Sequence, residues 1–282
     1  MAIEIDCKAI AGKIEAEARE MAAKFEAKMG RKPRITTFIA NNDPASERYV
    51  RNKMKACERC GIEHIEFTYD ELEEQKVKEA IEIANHYHSC VMLQLPVYEG
   101  WCANNLIQCI DPAGDVDCLT AQNMGKLALG DNSFMPATVA GIMRLFKEEG
   151  YDLKGKTVVI RGRSNIVGKP LALAMINAGA TVISENSHTP GYFEIALRDD
   201  VDFVDVIIDA TGRKAKWTVP CEYYIDVTTI VDKYGKLHGS LNDDCCYKYT
   251  PVPRGVGLLT CAQLAWNTAY LACKQVGIEV DL

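Results

Sequence analysis

Residues 155–171 read GKTVVIRGRSNIVGKPL, and this stretch decides the fold of the chain. The β-branched run at 157–160 predicts a short strand. Gly162 and Gly168 then bracket a turn of small and polar residues, and Pro170 suits the first turn of a helix. Such a unit points backbone N–H groups and the positive end of a helix at one edge of the sheet, which suits a pyrophosphate. The glycine spacing is not G-x-G-x-x-G, so these residues alone fit an ordinary strand-to-helix turn equally well.

The residues that follow extend this unit to a β-α-β-α-β pattern. An apolar helical stretch at 172–176 leads to a second strand at 180–184, which ends in the polar turn 185–189. A further apolar strand at 204–208 closes on a turn at 209–212, and strands at 224–227 and 236–240 are expected to continue the sheet. This order is typical of the mononucleotide-binding half of a doubly wound parallel sheet, where ligand contacts lie at the carboxyl ends of the strands.

Length, composition and charge restrict the class of protein. A chain of 282 residues with 48% hydrophobic and 25% charged residues is long enough for two globular domains. Its net charge of -7 argues against a nucleic-acid or anionic-membrane partner and favours a small-molecule ligand. The chain has no apolar stretch as long as a membrane span, and its start reads as an amphipathic helix rather than a signal peptide. We therefore expect a cytosolic protein.

The twelve cysteines fit a reducing compartment, in which thiols are small apolar core residues. Cys57 and Cys60 form a C-x-x-C pair of the kind found in metal and redox sites. The sequence has no second pair with matching spacing, so we interpret this one as structural. The adjacent pair Cys245 and Cys246 is interpreted in the same way.

The first half of the chain reads as another α/β domain, with helices at 7–29, 45–57 and 71–87 and strands at 34–40, 62–67 and 90–95. Tyr49 and Lys53 are four residues apart and share a helix face. Gln94 places an amide in an apolar strand, where it needs hydrogen-bond partners. The loop 110–119 carries three carboxylates. A helix is expected at 142–149, before the nucleotide-binding unit. A long final helix at 261–276 is expected to return to this first domain.

Five stretches in this order resemble a known family. They read NDPAS with YVxxKxKA between Asn42 and Ala56, QLP at 94–96, DVD at 115–117, GRSNIVGKP at 162–170, and TPVP with GVG between Thr250 and Gly257. On these stretches the chain resembles the bifunctional methylenetetrahydrofolate dehydrogenase/cyclohydrolase family along nearly its full length.

The resemblance implies an α/β fold of two domains with an active-site cleft between them, the second a Rossmann-like doubly wound parallel sheet. Residues 1–135 with 261–282 would form the folate-binding catalytic domain, and residues 136–260 the NAD(P)-binding domain. It also implies two reactions: oxidation of 5,10-methylenetetrahydrofolate with NAD(P)+, then hydrolysis of the methenyl product to 10-formyltetrahydrofolate. A homodimer that acts on tetrahydrofolate derivatives is expected.

The family pattern carries roles to particular residues. Lys53 would polarise the folate bridge and activate water, with Gln94 beside it, Tyr49 would position the folate ring, and Asp117 would accept hydrogen bonds from the pterin edge. These four are the candidate catalytic residues. Further candidate substrate contacts are Leu95, Pro251, Gly255 and Val256. The candidate cofactor contacts are Gly162, Arg163, Ser164, Ile166, Val167, Gly168, Glu185, Ser187, Thr211 and Gly212.

The chain departs from the family pattern in the loops near these residues. Gly114 stands where the family has lysine and Cys118 where it has glycine. Arg254 replaces a glycine, Leu258 replaces a proline, and residues 137–139 read Ala-Thr-Val in place of Cys-Thr-Pro. These changes leave two alternatives open: a monofunctional methylenetetrahydrofolate dehydrogenase, or a folate-binding protein whose catalysis is lost.

The form of the nicotinamide cofactor is a separate question. Arg163 and Ser187 occupy positions at which the family holds the phosphate of NADP. Glu185, in contrast, ends the second strand, where an acid bonds the ribose hydroxyls of NAD and repels a phosphate. His188 stands where Lys or Arg is common. The pattern favours NADP and leaves NAD open.

Overall fold

The computed structural model describes residues 2–87, 90–189, 204–213, 220–232, 234, 236–241 and 246–280; Cys245 lies outside them. None of the helices in this part of the chain is long and apolar enough to cross a bilayer. In chain order the described elements are β1 (Ile3–Glu4), α1 (Cys7–Met29), β2 (Arg34–Ile39), α2 (Pro44–Arg59), β3 (Glu63–Thr68), α3 (Glu74–His86), β4 (Cys90–Gln94), α4 (Ala103–Ile107), α5 (Ala121–Ala128), α6 (Ala137–Glu148), β5 (Thr157–Arg161), α7 (Gly168–Asn177), β6 (Thr181–Glu185), β7 (Val204–Asp209), β8 (Cys221–Asp226), β9 (Ile230–Val231), β10 (Leu237–His238), β11 (Cys246–Tyr249) and α8 (Val256–Gln275).

The elements form two compact units. The six-stranded unit comprises Met1–Ala11, Leu127–Asn132 and Thr138–Leu259. The three-stranded unit comprises Gly12–Lys126, Ser133–Ala137 and Thr260–Leu282. Each unit has its own parallel sheet, as the sequence predicts for an α/β protein.

The six-stranded unit contains a sheet in the order β1-β11-β8-β7-β5-β6, and every neighbouring pair in it is parallel. The central strands are apolar and buried along their length, which is typical of a parallel sheet covered on both faces. The strand order reverses between β5 and β7, because β6 lies outside β5 while the later strands extend from β7. The predicted doubly wound sheet is therefore confirmed, and its reversal point lies beside the glycine turn.

The three-stranded unit contains a parallel sheet in the order β3-β2-β4. Side chains alternate between its two faces. Ile35 and Met92 pack into a core with α1, α2 and α8, whereas Phe38 and Val91 pack into a second core with α3 and α4. Two apolar clusters therefore hold the sheet between helical layers.

Several elements differ from the sequence expectation. The strand expected at 236–240 does not continue the main sheet; β10 pairs antiparallel with β9 in a separate two-stranded sheet. The first predicted domain begins at residue 1, but β1 pairs with β11 in the six-stranded sheet. Strands of two to four residues carry too little periodicity to be detected, so β1 and β11 went unpredicted. Helix α5 was also missed, and α6 and α8 each begin five residues earlier than expected.

Cys57 lies on α2 and Cys60 directly follows its last residue, and both thiols are buried. Burial raises the pKa of Cys57, and it raises the pKa of Cys60 to about 11. A thiol with a raised pKa is a poor nucleophile and a poor metal ligand at neutral pH. These positions agree with the structural interpretation of the pair.

The final helix packs on the three-stranded unit, as predicted. Leu264, Ala265, Ala269 and Leu271 all lie in the core cluster formed with α1 and α2. The same helix carries a buried amide, Asn267, whose Nδ2 donates to the carbonyl oxygens of Val116 at 2.9 Å and Met135 at 3.1 Å. Asn267 thus fixes the backbone immediately before Asp117.

We predict that Asn267→Ala lowers the free energy of unfolding by about 2 to 4 kcal/mol, because two buried carbonyls lose their donor. The matched control is Gln275→Ala. Gln275 lies on the same helix and donates to the carbonyl of Ala113 in the same loop at 3.1 Å, but at an exposed site. Its loss is expected to cost less than about 1 kcal/mol. Urea unfolding compares the two; equal losses would contradict the assignment.

Candidate active site

Helix α2 positions the two candidate residues that share its face. Val50, Met54 and Cys57 anchor the helix in the core, so Tyr49 and Lys53 lie at the edge of the buried stripe. The Tyr49 side chain is 47% exposed. The Lys53 ammonium is half-buried, and its Nζ lies 3.4 Å from the thioether sulfur of Met92 on β4. A thioether is a weak acceptor, so this ammonium keeps strong donors for another ligand.

Gln94 is the last residue of β4 and lies on the same face of the sheet as Met92, two residues before it. Its side chain is 8% exposed. The Nε2 atom donates to the carbonyl of Leu95 at 2.6 Å, whereas Oε1 is buried without a hydrogen-bond partner among the described residues. An unsatisfied buried acceptor costs about 1–3 kcal/mol, so this oxygen favours an incoming donor.

The three carboxylates of the loop 110–119 have different roles. Asp111 Oδ1 accepts from the backbone N–H of Ala113 at 2.9 Å. Asp115 is buried and accepts from the backbone N–H groups of Leu119 and Thr120 and from the Asn123 amide, which orders the start of α5. Burial raises the pKa of Asp115. These two acids are therefore structural.

Asp117 remains as the carboxylate available to a ligand. Its side chain is half-buried, and no hydrogen bond to it occurs in the described part of the chain. A carboxylate with both oxygens open matches a planar pair of N–H donors. In the three-stranded unit the structure thus offers an ammonium, an amide oxygen and a carboxylate that are not used within the fold.

The remaining substrate candidates divide between the units. Leu95 is half-buried after β4, in the three-stranded unit with Lys53, whereas Pro251, Gly255 and Val256 lie in the six-stranded unit. A Cβ on Gly255 would overlap the carbonyl oxygen of Pro251, so this loop requires glycine there. Val256 is buried and begins α8.

Two of the departures from the family pattern adopt a left-handed backbone conformation, which glycine favours. Cys118 has φ of 55° and Arg254 has φ of 78°, and these are the non-glycine residues with positive φ in the described part of the chain. Both stand where the resemblance places glycine, which adopts this conformation without a steric penalty. Each substitution therefore places a side chain in a strained backbone conformation beside a candidate site residue.

Neighbouring backbone atoms leave no room for a side chain at Gly162 or Gly168 in the turn after β5. A Cβ on Gly162, whose φ is 107°, would lie 2.7 Å from the carbonyl oxygen of Ala210 after β7. A Cβ on Gly168 would overlap the carbonyl of Gly162. Gly212 has φ of 69° and open space above it. These glycines bring the turns after β5 and β7 close together at the reversal point, the place where doubly wound sheets bind dinucleotides.

The hydrogen bonds within this turn differ from the sequence expectation. Ser164 Oγ accepts from the backbone N–H groups of Val167 at 3.2 Å and Gly168 at 3.4 Å, so these two donors are already satisfied by the chain. Ile166 is 42% exposed beside them and offers an apolar surface. Thr211 is held by Asp209, whose Oδ1 accepts from both its backbone N–H and its hydroxyl.

The residues after β6 are the candidates for cofactor discrimination. Arg163 is exposed and donates through Nε to the Ser184 hydroxyl at 3.2 Å and through Nη2 to the Ser184 carbonyl. Ser187 and His188 are exposed in the following turn. Glu185 differs from the expectation, because it is 1% exposed and forms an ion pair with Arg161. A carboxylate in this position is directed into the protein rather than towards a ribose.

Two further acids end the neighbouring strands. Asp209 ends β7 and accepts from the Tyr224 hydroxyl at 3.1 Å. Asp226 ends β8 and accepts from the backbone N–H groups of Thr228, Ser240 and Leu241. Burial, with a contribution from nearby Asp209, raises the pKa of Asp226 to about 6. Both acids order turns at the carboxyl edge of the sheet.

The fold defines a class: a two-unit α/β protein with a glycine turn at the reversal point of a doubly wound sheet in one unit and a parallel three-stranded sheet in the other. Residues 5–117 match the catalytic domain of tetrahydrofolate dehydrogenase/cyclohydrolase, and residues 136–276 match its NAD(P)-binding domain. The bifunctional protein FolD of Agathobacter rectalis is 36% identical over 278 residues, covering 95% of this chain and 98% of the relative. The FolD protein of Magnetococcus marinus is 35% identical over 280 residues, covering 95% of this chain and 96% of the relative.

Solved structures agree with these matches. The bifunctional FolD enzyme of Campylobacter jejuni has a TM-score of 0.88 and 32% identity, covering 98% of this chain and all of that chain. The Trypanosoma brucei enzyme, solved with NADP and an inhibitor, has a TM-score of 0.87 and 29% identity, with 98% of each chain covered.

The chain therefore belongs to the tetrahydrofolate dehydrogenase/cyclohydrolase family. The predictions of a methylenetetrahydrofolate dehydrogenase with methenyltetrahydrofolate cyclohydrolase activity, and of two α/β domains with a Rossmann-like sheet, are confirmed. Sequence reasoning missed three residues that shape the sites: Arg161, Asp115 and Asn267. A buried charge or amide at the end of a strand or inside an apolar helix is the signal that could have revealed them.

We predict that Arg254→Gly raises the free energy of unfolding by about 0.5–1 kcal/mol, because it removes left-handed strain at the cost of some chain entropy. Arg254→Ala is the matched control: it removes the same exposed side chain but keeps a Cβ at positive φ, so no gain is expected. Urea unfolding of both variants checks this. If alanine stabilised the protein as much as glycine, the side chain rather than the backbone would be the cause.

We also predict a pH-dependent contribution from Asp226. Its pKa is raised from 3.8 to about 6, so its stabilising contribution is complete below 3.8 and is lost as the pH rises through 6. Between pH 7 and pH 5 the wild type should gain about 1 kcal/mol relative to Asp226→Asn, which cannot titrate. Urea unfolding at both pH values measures the difference; a constant difference would contradict the raised pKa.

Proposed function

We propose that Lys53, Gln94, Tyr49 and Asp117 contact the folate and perform both reactions, and that NADP is the preferred cofactor. The observation that carries this proposal is the environment of Lys53. Its half-buried ammonium has a thioether as its hydrogen-bond partner at 3.4 Å, and the same strand face carries the unsatisfied Oε1 of Gln94. Such a site is completed by a polar ligand, because both groups gain partners when one binds.

The proposed binding roles follow from the available polar groups. Asp117 accepts two hydrogen bonds from the pterin edge and fixes its orientation. Tyr49, half-exposed on α2, packs against the ring system. Lys53 donates to the folate bridge, and Gln94 Oε1 accepts from the ammonium or from a water that it holds. The nicotinamide supplies the hydride acceptor when it is bound, and the protein sets the geometry.

Lys53 has its main role in the hydrolytic step. There the water oxygen bonds to the methenyl carbon and one water proton departs. The remaining hydroxyl proton then leaves as the formyl C=O forms, the bond from that carbon to the ring nitrogen breaks, and the nitrogen takes up a proton. A positioned Lys53 orients the water and assists these proton transfers, an effect worth about 10²–10⁴ in rate for general acid–base groups.

The preference for NADP rests on the charges beyond β6. Arg163 is exposed and anchored on Ser184, with Ser187 and His188 exposed in the next turn. Glu185, the acid that would favour NAD, is directed inwards at Arg161. The Trypanosoma brucei relative was solved with NADP. We further propose a homodimer that acts on tetrahydrofolate derivatives in the cytoplasm, as the family resemblance implies.

We predict that Lys53→Met reduces hydrolysis of methenyltetrahydrofolate at least about 100-fold. The dehydrogenase activity is expected to fall less, because hydride transfer needs no activated water. The loss of methenyl absorbance without nicotinamide measures the first activity, and the reduction of NADP+ with methylenetetrahydrofolate measures the second. Wild-type turnover in the first assay also separates the bifunctional enzyme from a monofunctional dehydrogenase.

The control is Lys55→Met, which removes an exposed lysine from the same helix. It should retain both activities within about 2-fold, since surface substitutions away from a site are nearly neutral. Circular dichroism establishes that each variant is folded. If Lys53→Met lost both activities equally while folded, Lys53 would act in binding or positioning rather than in the hydrolytic step.

A further inference from the structure

Arg161 and Glu185 form a buried ion pair inside the six-stranded sheet. Arg161 ends β5, Glu185 ends β6, and the two residues are direct partners in the register of the parallel strands. Both side chains are 1% exposed, and Arg161 Nε lies 3.7 Å from Glu185 Oε2. Buried charges are rare unless they are paired, so each residue explains the burial of the other.

The pair lies directly below the glycine turn after β5. The backbone N–H of Gly162 donates to the carbonyl of Glu185 at 2.9 Å, and the N–H of Ala210 donates to the carbonyl of Arg161 at 2.8 Å. The next residue along each strand therefore belongs to the edge at which the cofactor is expected. A change in the orientation of either side chain would therefore affect residues that are next to it in the chain and belong to that edge.

The exposed residues above the pair are cationic or neutral. The stretches 163–169 and 186–189 contain Arg163, Lys169 and His188 and no acid. The Arg163 guanidinium is anchored on Ser184, the residue before Glu185. A doubly charged phosphate monoester is attracted to such an edge, whereas a carboxylate placed there would repel it.

Glu185 would become that carboxylate if it lost its partner. An ionised carboxylate without a partner in an apolar interior is strongly unfavourable and either takes up a proton or turns towards water. Glu185 is the last residue of β6, and Ser187 is already exposed. The route to solvent is therefore short, and it ends where an acid would bond the ribose hydroxyls of a dinucleotide that lacks the phosphate.

We propose that Arg161 is a specificity-determining positioning residue: it holds the Glu185 carboxylate inside the sheet and so keeps the edge beyond β6 receptive to the 2′-phosphate of NADP. This inference rests on the proposed preference for NADP. Arg161 touches neither cofactor nor substrate and acts through Glu185.

The test measures the dissociation constants of NADP+ and NAD+ by calorimetry for the wild type, Arg161→Met and the double variant Arg161→Met/Glu185→Gln. We expect Arg161→Met to weaken NADP+ at least 10-fold while NAD+ changes less than 3-fold. The double variant should regain NADP+ affinity to within 3-fold of the wild type, because the repelling charge is gone. A residue that only stabilised the fold would change both dinucleotides together.

Each outcome decides between the hypotheses. Wild-type protein that binds NAD+ more tightly than NADP+ would overturn the proposed cofactor itself. An unchanged affinity ratio in folded Arg161→Met, or a double variant that stays as weak as the single one, would overturn the role of Arg161 alone.

Arg161→Gln covers the case in which methionine does not fold, since its amide keeps a polar group at this buried position while the positive charge is lost. It should weaken NADP+ about 3-fold or more relative to NAD+. A folded Arg161→Gln protein with the wild-type ratio would also refute the proposal.

Discussion

The carboxyl ends of parallel strands meet at one edge of a sheet, and both units of this enzyme depend on that constraint. In the six-stranded unit it brings the turn at Gly162 against Ala210 and holds Thr211 at the end of β7. In the three-stranded unit it places Gln94 at the end of β4 beside Ile39 of β2. Gln94 and Thr211 thus lie at or just beyond the end of a strand, whereas Tyr49 and Lys53 are positioned by α2.

Several buried acids lie near these strand ends, and most of their carboxylates form hydrogen bonds or ion pairs within the protein. Asp115, Asp209 and Asp226 each accept several hydrogen bonds from nearby backbone and side chains, which orders the turns around them. Glu185 instead forms an ion pair with Arg161. Asp117 differs from these four acids because it is only half-buried and no bond within the described residues engages it. The hydrogen-bond pattern, rather than the residue type, separates the proposed ligand carboxylate of Asp117 from the structural ones.

The sequence predicted the long elements and the motif residues well, since both carry local signals. Helix α1 was predicted with its observed bounds, and Gly162 and Gly168 were identified as a tight turn from their spacing alone. The parts that failed depend on contacts distant in sequence. Strand β1 exists because β11, more than two hundred residues later, lies beside it. The orientation of Glu185 depends on Arg161 in a neighbouring strand, and spacing from the glycine turn carries no information about that partner.

The departures from the family pattern show that the effect of a substitution on a loop cannot be judged until the backbone conformation at that residue is known. Cys118 and Arg254 replace glycine and suggested altered loops, yet both residues adopt the left-handed conformation that glycine would adopt. The contacts around these loops are therefore strong enough to impose a conformation that costs each side chain about 1–2 kcal/mol. For Cys118 the buried contacts around the loop include Asn267, which fixes the carbonyl of Val116 two residues earlier. A loop held in this way keeps its neighbour Asp117 in position whatever residue follows it. The altered residues are therefore weak evidence for a degraded site, because α8, through Asn267, fixes the backbone next to the proposed ligand carboxylate of Asp117.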